Sequence, residues 1–130
     1  MNKPLNLNAL AAEIHQNAKE HGWWDEEREF GTIVALCHSE LSEALEEHRN
    51  GRPMVYFNCD GHVCEDNDCD DCEMLSERLD KPEGKAVEMI DCVIRILDWC
   101  GKEGVDVDAL LQAKHRYNQT RPYKHGGKLI

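Results

Sequence analysis

The sequence predicts an all-α protein, a four-helix bundle with a cysteine-rich hairpin or loop insert between its second and third helices. Apolar residues recur at helical spacing in four segments, and cap or turn residues punctuate those segments. Only the interval 52–84 breaks the rhythm, with a run rich in acids and cysteines. Short links elsewhere between amphipathic segments are the pattern of a bundle.

The first helix is expected from about Leu5 to about His21, with Leu7, Leu10, Ala11, Ile14 and Ala18 on one face and Gly22 as its stop. The second runs from about Asp25 to Arg49, with Phe30, Ile33, Val34, Cys37, Leu41, Ala44 and Leu45 as its apolar stripe, and Asn50-Gly51 ends it. The third opens near Pro82, a residue favoured in a first helical turn, and continues through "GKAVEMIDCVIRILDWC" to Gly101. A short fourth helix starts near Asp106 or Asp108, each a candidate N-cap, and carries Leu110, Leu111 and Ala113. Within the insert, "MVYFNCDGHVC" places β-branched and aromatic residues around Asp60-Gly61, the signature of a two-residue hairpin turn.

The chain has 130 residues, 41% hydrophobic and 32% charged, which suits a single domain over 1–130 with one core. No apolar run approaches the roughly 18 residues of a membrane span, and "MNKPLNLNAL" lacks the layout of a signal peptide, so a cytoplasmic protein without membrane partners is expected. A formal net charge of −11 argues against binding nucleic acid through a broad basic face. That charge is unevenly spread. From Arg52 to Gly84 there are ten acids against three bases, whereas from Lys114 onward there are five bases and no acid, most of them in the basic tail 119–130. A small anionic ligand could lie between a metal held by acids and this basic end.

Two acidic pairs carry the chemistry. Glu40 and Glu43 in "HSELSEALEEHR", and Glu88 and Asp91 in "VEMIDCVIRIL", are each three residues apart and border an apolar stripe. Residues three apart lie about 60° from one another around a helix axis, so each pair forms one patch. Side by side, the two helices would bring four carboxylates together, where repulsion and desolvation are costly unless a divalent cation binds. An all-oxygen set with no adjacent soft ligand favours Mg²⁺ or Mn²⁺ over zinc. A single such pair is common on a solvated helix face; the weight rests on having two.

"SELSEAL" followed by "VEMIDCVIRILD" resembles the E-x-x-E … E-x-x-D signature of the MazG-like nucleotide pyrophosphohydrolases, of the all-α NTP pyrophosphatase superfamily. The ending "KHRYNQTRPYKHGGK" adds a Lys-x-x-x-Asn pair, Lys114 and Asn118, after the fourth helix. The likeness covers almost all of the chain except the insert, which makes the gap between the acidic motifs longer than is usual in the family. It implies a bundle of the MazG-like type and Mg²⁺-dependent hydrolysis of a nucleoside triphosphate between its α and β phosphates, giving monophosphate and pyrophosphate. It also implies Glu40, Glu43, Glu88 and Asp91 as metal ligands, with Glu43 or Glu40 orienting or deprotonating the attacking water. Lys114 and Asn118 would then contact phosphate, with Arg121 a further candidate whose guanidinium suits bidentate contact. Related bundles pair their subunits, so a homodimer or homotetramer is expected, consistent with the limited apolar surface a short chain has to enclose a triphosphate. Hydrolysis of phosphoribosyl-ATP is a variant of the same chemistry. A non-enzymatic helical interaction module, with the hairpin as a metal-stabilised arm, is the alternative of a different class.

Cys59, Cys64, Cys69 and Cys72 could bind a structural Zn²⁺, with His62 as a substitute ligand; free thiols on an acidic loop and a disulfide or redox pair are the other readings. Cys37, Cys92 and Cys100 lie on helices and read as core cysteines. Trp23 and Trp24 fall where two helices join, a position that suits sealing a corner better than stacking a base. His38 reads as structural or exposed, and Glu47, one turn past Glu43, as a solvated surface acid rather than part of the site.

Overall fold

The computed structural model describes residues 6–59, 62–65 and 80–123. The described residues are mostly helical, and among them are four helices and one small sheet: α1 (Leu7–Glu20), α2 (Phe30–Arg49), β1 (Tyr56–Cys59), β2 (His62–Glu65), α3 (Lys85–Glu103) and α4 (Val107–Thr120). It divides into two compact units, one formed by Met1–Asp25 with Leu97–Ile130 and the other by Glu26–Ile96, so that α3 contributes to both.

In the first unit the N-terminal ends of α1 and α4 cap each other. Asn6 accepts from the Ala9 N–H at 3.0 Å and Asp106 from the Ala109 N–H at 3.1 Å, each capping its own helix. Across the pair, the Asn8 side-chain oxygen accepts from the Val107 N–H at 2.7 Å, and Asp108 accepts from the Leu7 N–H at 3.2 Å. Asn8 also donates to Asp106 at 2.9 Å. Helix amides that lack intrahelical partners are thereby satisfied by the neighbouring helix. Of the two candidate caps of α4, Asp106 takes the local role and Asp108 the cross-helix one. At its other end α1 stops as its Gly22 predicts: the Trp23 N–H reaches the Ala18 carbonyl at 3.0 Å and the Gly22 N–H that of Lys19 at 3.1 Å, with Gly22 at φ 83°. Ala11 of α1 is buried, and Gly101 of α3 lies against its carbonyl. A carboxylate ties the corner: Asp98 accepts from the Trp24 indole at 2.9 Å and lies 2.8 Å from Nδ1 of His15. Trp24 therefore fastens a corner, whereas Trp23 is largely exposed.

In the second unit β1 and β2 pair antiparallel, Cys59 opposite His62 and Phe57 opposite Cys64. This register leaves two residues between the strands, as the Asp60-Gly61 reading requires; those two residues lie outside the described ones. Phe57 is 1% exposed and anchors a core with Ile33, Ala44, Tyr56, Cys64 and Cys92. Tyr56 exchanges both backbone hydrogen bonds with Glu83, at 2.8 and 2.9 Å, and the Met54 carbonyl accepts from the Ala86 N–H at 3.2 Å. Gly84 makes that approach possible. It sits at φ 120°, and a Cβ there would collide with the carbonyl oxygens of Met54 and Pro53.

Three expectations are corrected. α2 begins at Phe30 and not near Asp25, since residues 21–29 are spent on the turn that carries Trp24 to Asp98. α3 begins at Lys85, because the residues following Pro82 are paired with β1. The apolar stripes are also less enclosed than their periodicity suggests: Ile33 and Ala44 are buried, but Phe30, Leu41, Leu45, Ile90, Ile94, Leu110 and Leu111 are exposed.

Candidate active site

Glu40 and Glu43 project from α2, and Glu88 from α3, so that one carboxylate oxygen from each lies within 4.8 Å of the others. Helical spacing accounts for the convergence, because Glu40 and Glu43 share a patch on α2, as Glu88, Asp91 and Arg95 do on α3. The three acids differ in setting: Glu40 is buried at 7% exposure, Glu88 is half-buried and Glu43 is exposed. Asp91 stands beside this group, near enough to interact with Glu88, without joining the closest three.

Charge is distributed through the cluster by a cation that was not singled out from the sequence. The Arg95 Nε–H donates to Oε1 of Glu40 at 2.7 Å, an ion pair in which both side chains are largely shielded. Burial acts to raise the pKa of Glu40, but the Arg95 hydrogen bond, hydrogen bonds with Glu43 and Glu88, and the Arg95 charge outweigh it and hold the carboxyl below its usual value. Glu88 goes the other way, pushed up to about 7 by burial first and then by its hydrogen bonds with Glu43 and Glu40 and the charges of Glu43 and Asp91. Burial and the Glu40 charge also raise Asp91, against the Glu88 hydrogen bond and the charges of Arg95 and Lys81. Burial and the surrounding acids thus favour the protonated form of Glu88.

The donor set fits a hard divalent ion. One oxygen from each of Glu40, Glu43 and Glu88 lies within 4.8 Å of the others, so these three would hold such an ion through oxygen alone. Cys37 and Cys92 lie close by without a disulfide, and burial first, then Cys92, raises the Cys37 pKa. Cys92 and Cys100 are buried, as core cysteines should be, and Cys37 is half-buried.

Glu47 differs from its expected solvated role. It is half-buried, outside the carboxylate group, and accepts from the hydroxyl of buried Tyr56 at 3.0 Å. His38 is exposed, as expected.

Lys114 and Asn118 lie within α4 and not after it, because the helix runs on to Thr120, and with Arg121 they belong to the first unit. Lys114 and Asn118 line a groove of about 460 Å³ whose floor includes Val107, Leu110 and Leu111. Tyr117, absent from the sequence-based candidates, gathers the two cations: Lys114 Nζ is 4.9 Å and the Arg121 guanidinium 5.7 Å from its ring centre. The Asn118 carbonyl accepts from the Arg121 N–H at 3.3 Å, which ends α4. In the insert, Cys64 is buried and Cys59 half-buried, on one face of the hairpin by register. Cys69, Cys72 and the tail from Lys124 lie outside the described residues, as does the His62 side chain.

Compared with protein-family models, with curated proteins and with solved structures, the chain matches none of them. The only indication of family is therefore the resemblance in its motifs. Among the described residues no helix is long and apolar enough to cross a membrane.

Proposed function

We propose that this chain is a divalent-metal-dependent nucleoside triphosphate pyrophosphohydrolase of the MazG-like type. The observation that carries the reading is the meeting of Glu40, Glu43 and Glu88 from two helices far apart in sequence, with Asp91 alongside. Such a group is costly as four anions and fits a reaction in which Mg²⁺ or Mn²⁺ lies between enzyme and polyphosphate. When bound, the ion neutralises phosphate oxygens and polarises the phosphorus under attack.

The side chains divide the remaining work. Glu40, kept charged by Arg95, and Glu88, once it has given up its proton, would hold the ion. Glu43, the exposed member, has the freedom to orient a water or take its proton. Asp91 completes the acidic face of α3. Lys114, Asn118 and Arg121 offer the charges and donors that β and γ phosphate oxygens require, a role that rests on the family's motif.

The test is pyrophosphate release from a panel of ribo- and deoxynucleoside triphosphates, with Mg²⁺ and with chelator. Metal-dependent release is expected, with Glu43→Gln and Asp91→Asn each lowering kcat by about a hundredfold or more while the helical signal is retained. Undiminished turnover in both variants, or silence across the panel, would refute the reading.

A further inference from the structure

Arg95 has no part in the motif that suggested the site, yet it holds one of its acids directly, Nε to Oε1 of Glu40 at 2.7 Å. It lies four residues after Asp91 and seven after Glu88, on the same face of α3. A guanidinium fixed on one carboxylate oxygen repels a metal ion from that oxygen and holds the plane of the group. Glu40 can then offer an ion Oε2 but not a chelating pair. Resting on the function proposed above, we propose that Arg95 is the positioning residue of this cradle: it makes Glu40 a single-oxygen ligand and so favours Mg²⁺ or Mn²⁺ over Ca²⁺.

The physical basis is the difference between the ions. Ca²⁺ takes six to eight oxygens, readily using both oxygens of a carboxylate, whereas Mg²⁺ demands about six in octahedral order and keeps several waters. A site that denies chelation by its most buried carboxylate penalises the larger ion and leaves the smaller one unaffected. Arg95 also brings a positive charge that offsets one of the surrounding acids. That charge acts alike on both divalent ions, so the choice between them comes from the geometry at Glu40.

The experiment is Mn²⁺ binding to the full chain, read by electron paramagnetic resonance, with Mg²⁺ and Ca²⁺ as competitors. The native chain is expected to bind Mn²⁺ and to release it to Mg²⁺ more readily than to Ca²⁺. In Arg95→Met the preference for Mg²⁺ over Ca²⁺ should fall by about tenfold, the lower end of the effect typical of a residue that orients a metal ligand. Arg95→Lys, which keeps a charge and a donor, should restore most of it. If Arg95→Met does not fold, Arg95→Leu, which likewise has no donor, carries the same expectation. Equal displacement by the two ions in the native chain, or an unchanged preference in a folded uncharged variant, overturns the role of Arg95 and leaves the proposed function standing. Failure of the native chain to bind Mn²⁺ overturns both.

Discussion

Glu88 keeps a proton up to about pH 7 because it is half-buried among acids, and this gives the metal-free protein a testable dependence on pH. Below its ordinary value of 4.5, Glu88 is protonated in folded and unfolded chains alike; between there and about 7 only the folded chain holds the proton. The folded state then binds more protons than the unfolded, so stability from this group falls as pH rises through that window and its contribution is gone above about 7. Glu40, shifted down, has the opposite sign: its contribution is present at neutral pH and is lost on acidification. Thermal melts in chelator should therefore show a loss of Tm between pH 4.5 and about 7 that shrinks in Glu88→Gln, and parallel curves for the two chains would refute the assignment. Added Mg²⁺ should offset the loss, since binding to the deprotonated carboxylates of the folded chain stabilises it. The carboxylates were legible from spacing alone because helical geometry is local. Arg95 was not: it sits within an apolar stretch, "VIRIL", where a lone cation reads as a stray surface charge. Its offsets from Glu88 and Asp91 were the available signal, as Lys114 and Arg121 were for Tyr117, three residues before it and four after.

The helices owe their boundaries to two kinds of information, which explains where sequence reading succeeded. Asn6, Gly22, Gly51 and Asp106 act within a few residues of themselves, and the ends they define were found nearly where they lie. The starts of α2 and α3 depend on partners distant in sequence, Asp98 for Trp24 and Tyr56 for Glu83, and no local pattern reports those. Gly101 shows the same non-local constraint within a helix. By propensity alone, replacing a helical glycine with alanine stabilises by roughly 1 kcal/mol. Here a Cβ would lie 2.5 Å from the Ala11 carbonyl oxygen and 2.9 Å from Cβ of His15, so α1 would have to move away. The steric cost of overpacking, about 1–3 kcal/mol, should outweigh the propensity gain. Gly101→Ala is therefore expected to unfold at lower denaturant concentration than the native chain, with an unchanged slope; a higher midpoint would show that the helices can separate without loss.

At the scale of the molecule, periodicity identified four helices and one interruption correctly, because each stripe of apolar residues is a one-dimensional pattern. It did not say which part of each stripe is enclosed by the chain itself. In the second unit, Leu41, Leu45, Met54, Met89 and Ile90 line a groove of about 660 Å³, and of these Leu45 is 48% and Ile90 55% exposed. A patch of this kind is expensive to leave in water at about 25 cal/mol per Å² of apolar surface, and monomeric proteins seldom keep one without a use. All of these residues but Met54 share α2 and α3 with the acidic pairs, so covering them with a second copy of the chain would also exclude water from the neighbourhood of the carboxylates. The expected outcome is a dimer or tetramer at micromolar concentration by sedimentation. Leu45→Glu combined with Ile90→Glu should shift it to monomer, because apposed carboxylates repel and lose hydration at a dry interface, while the helical signal stays unchanged. A native chain that sediments only as monomer, or a doubly charged variant that still associates, would show that this face is not where copies meet.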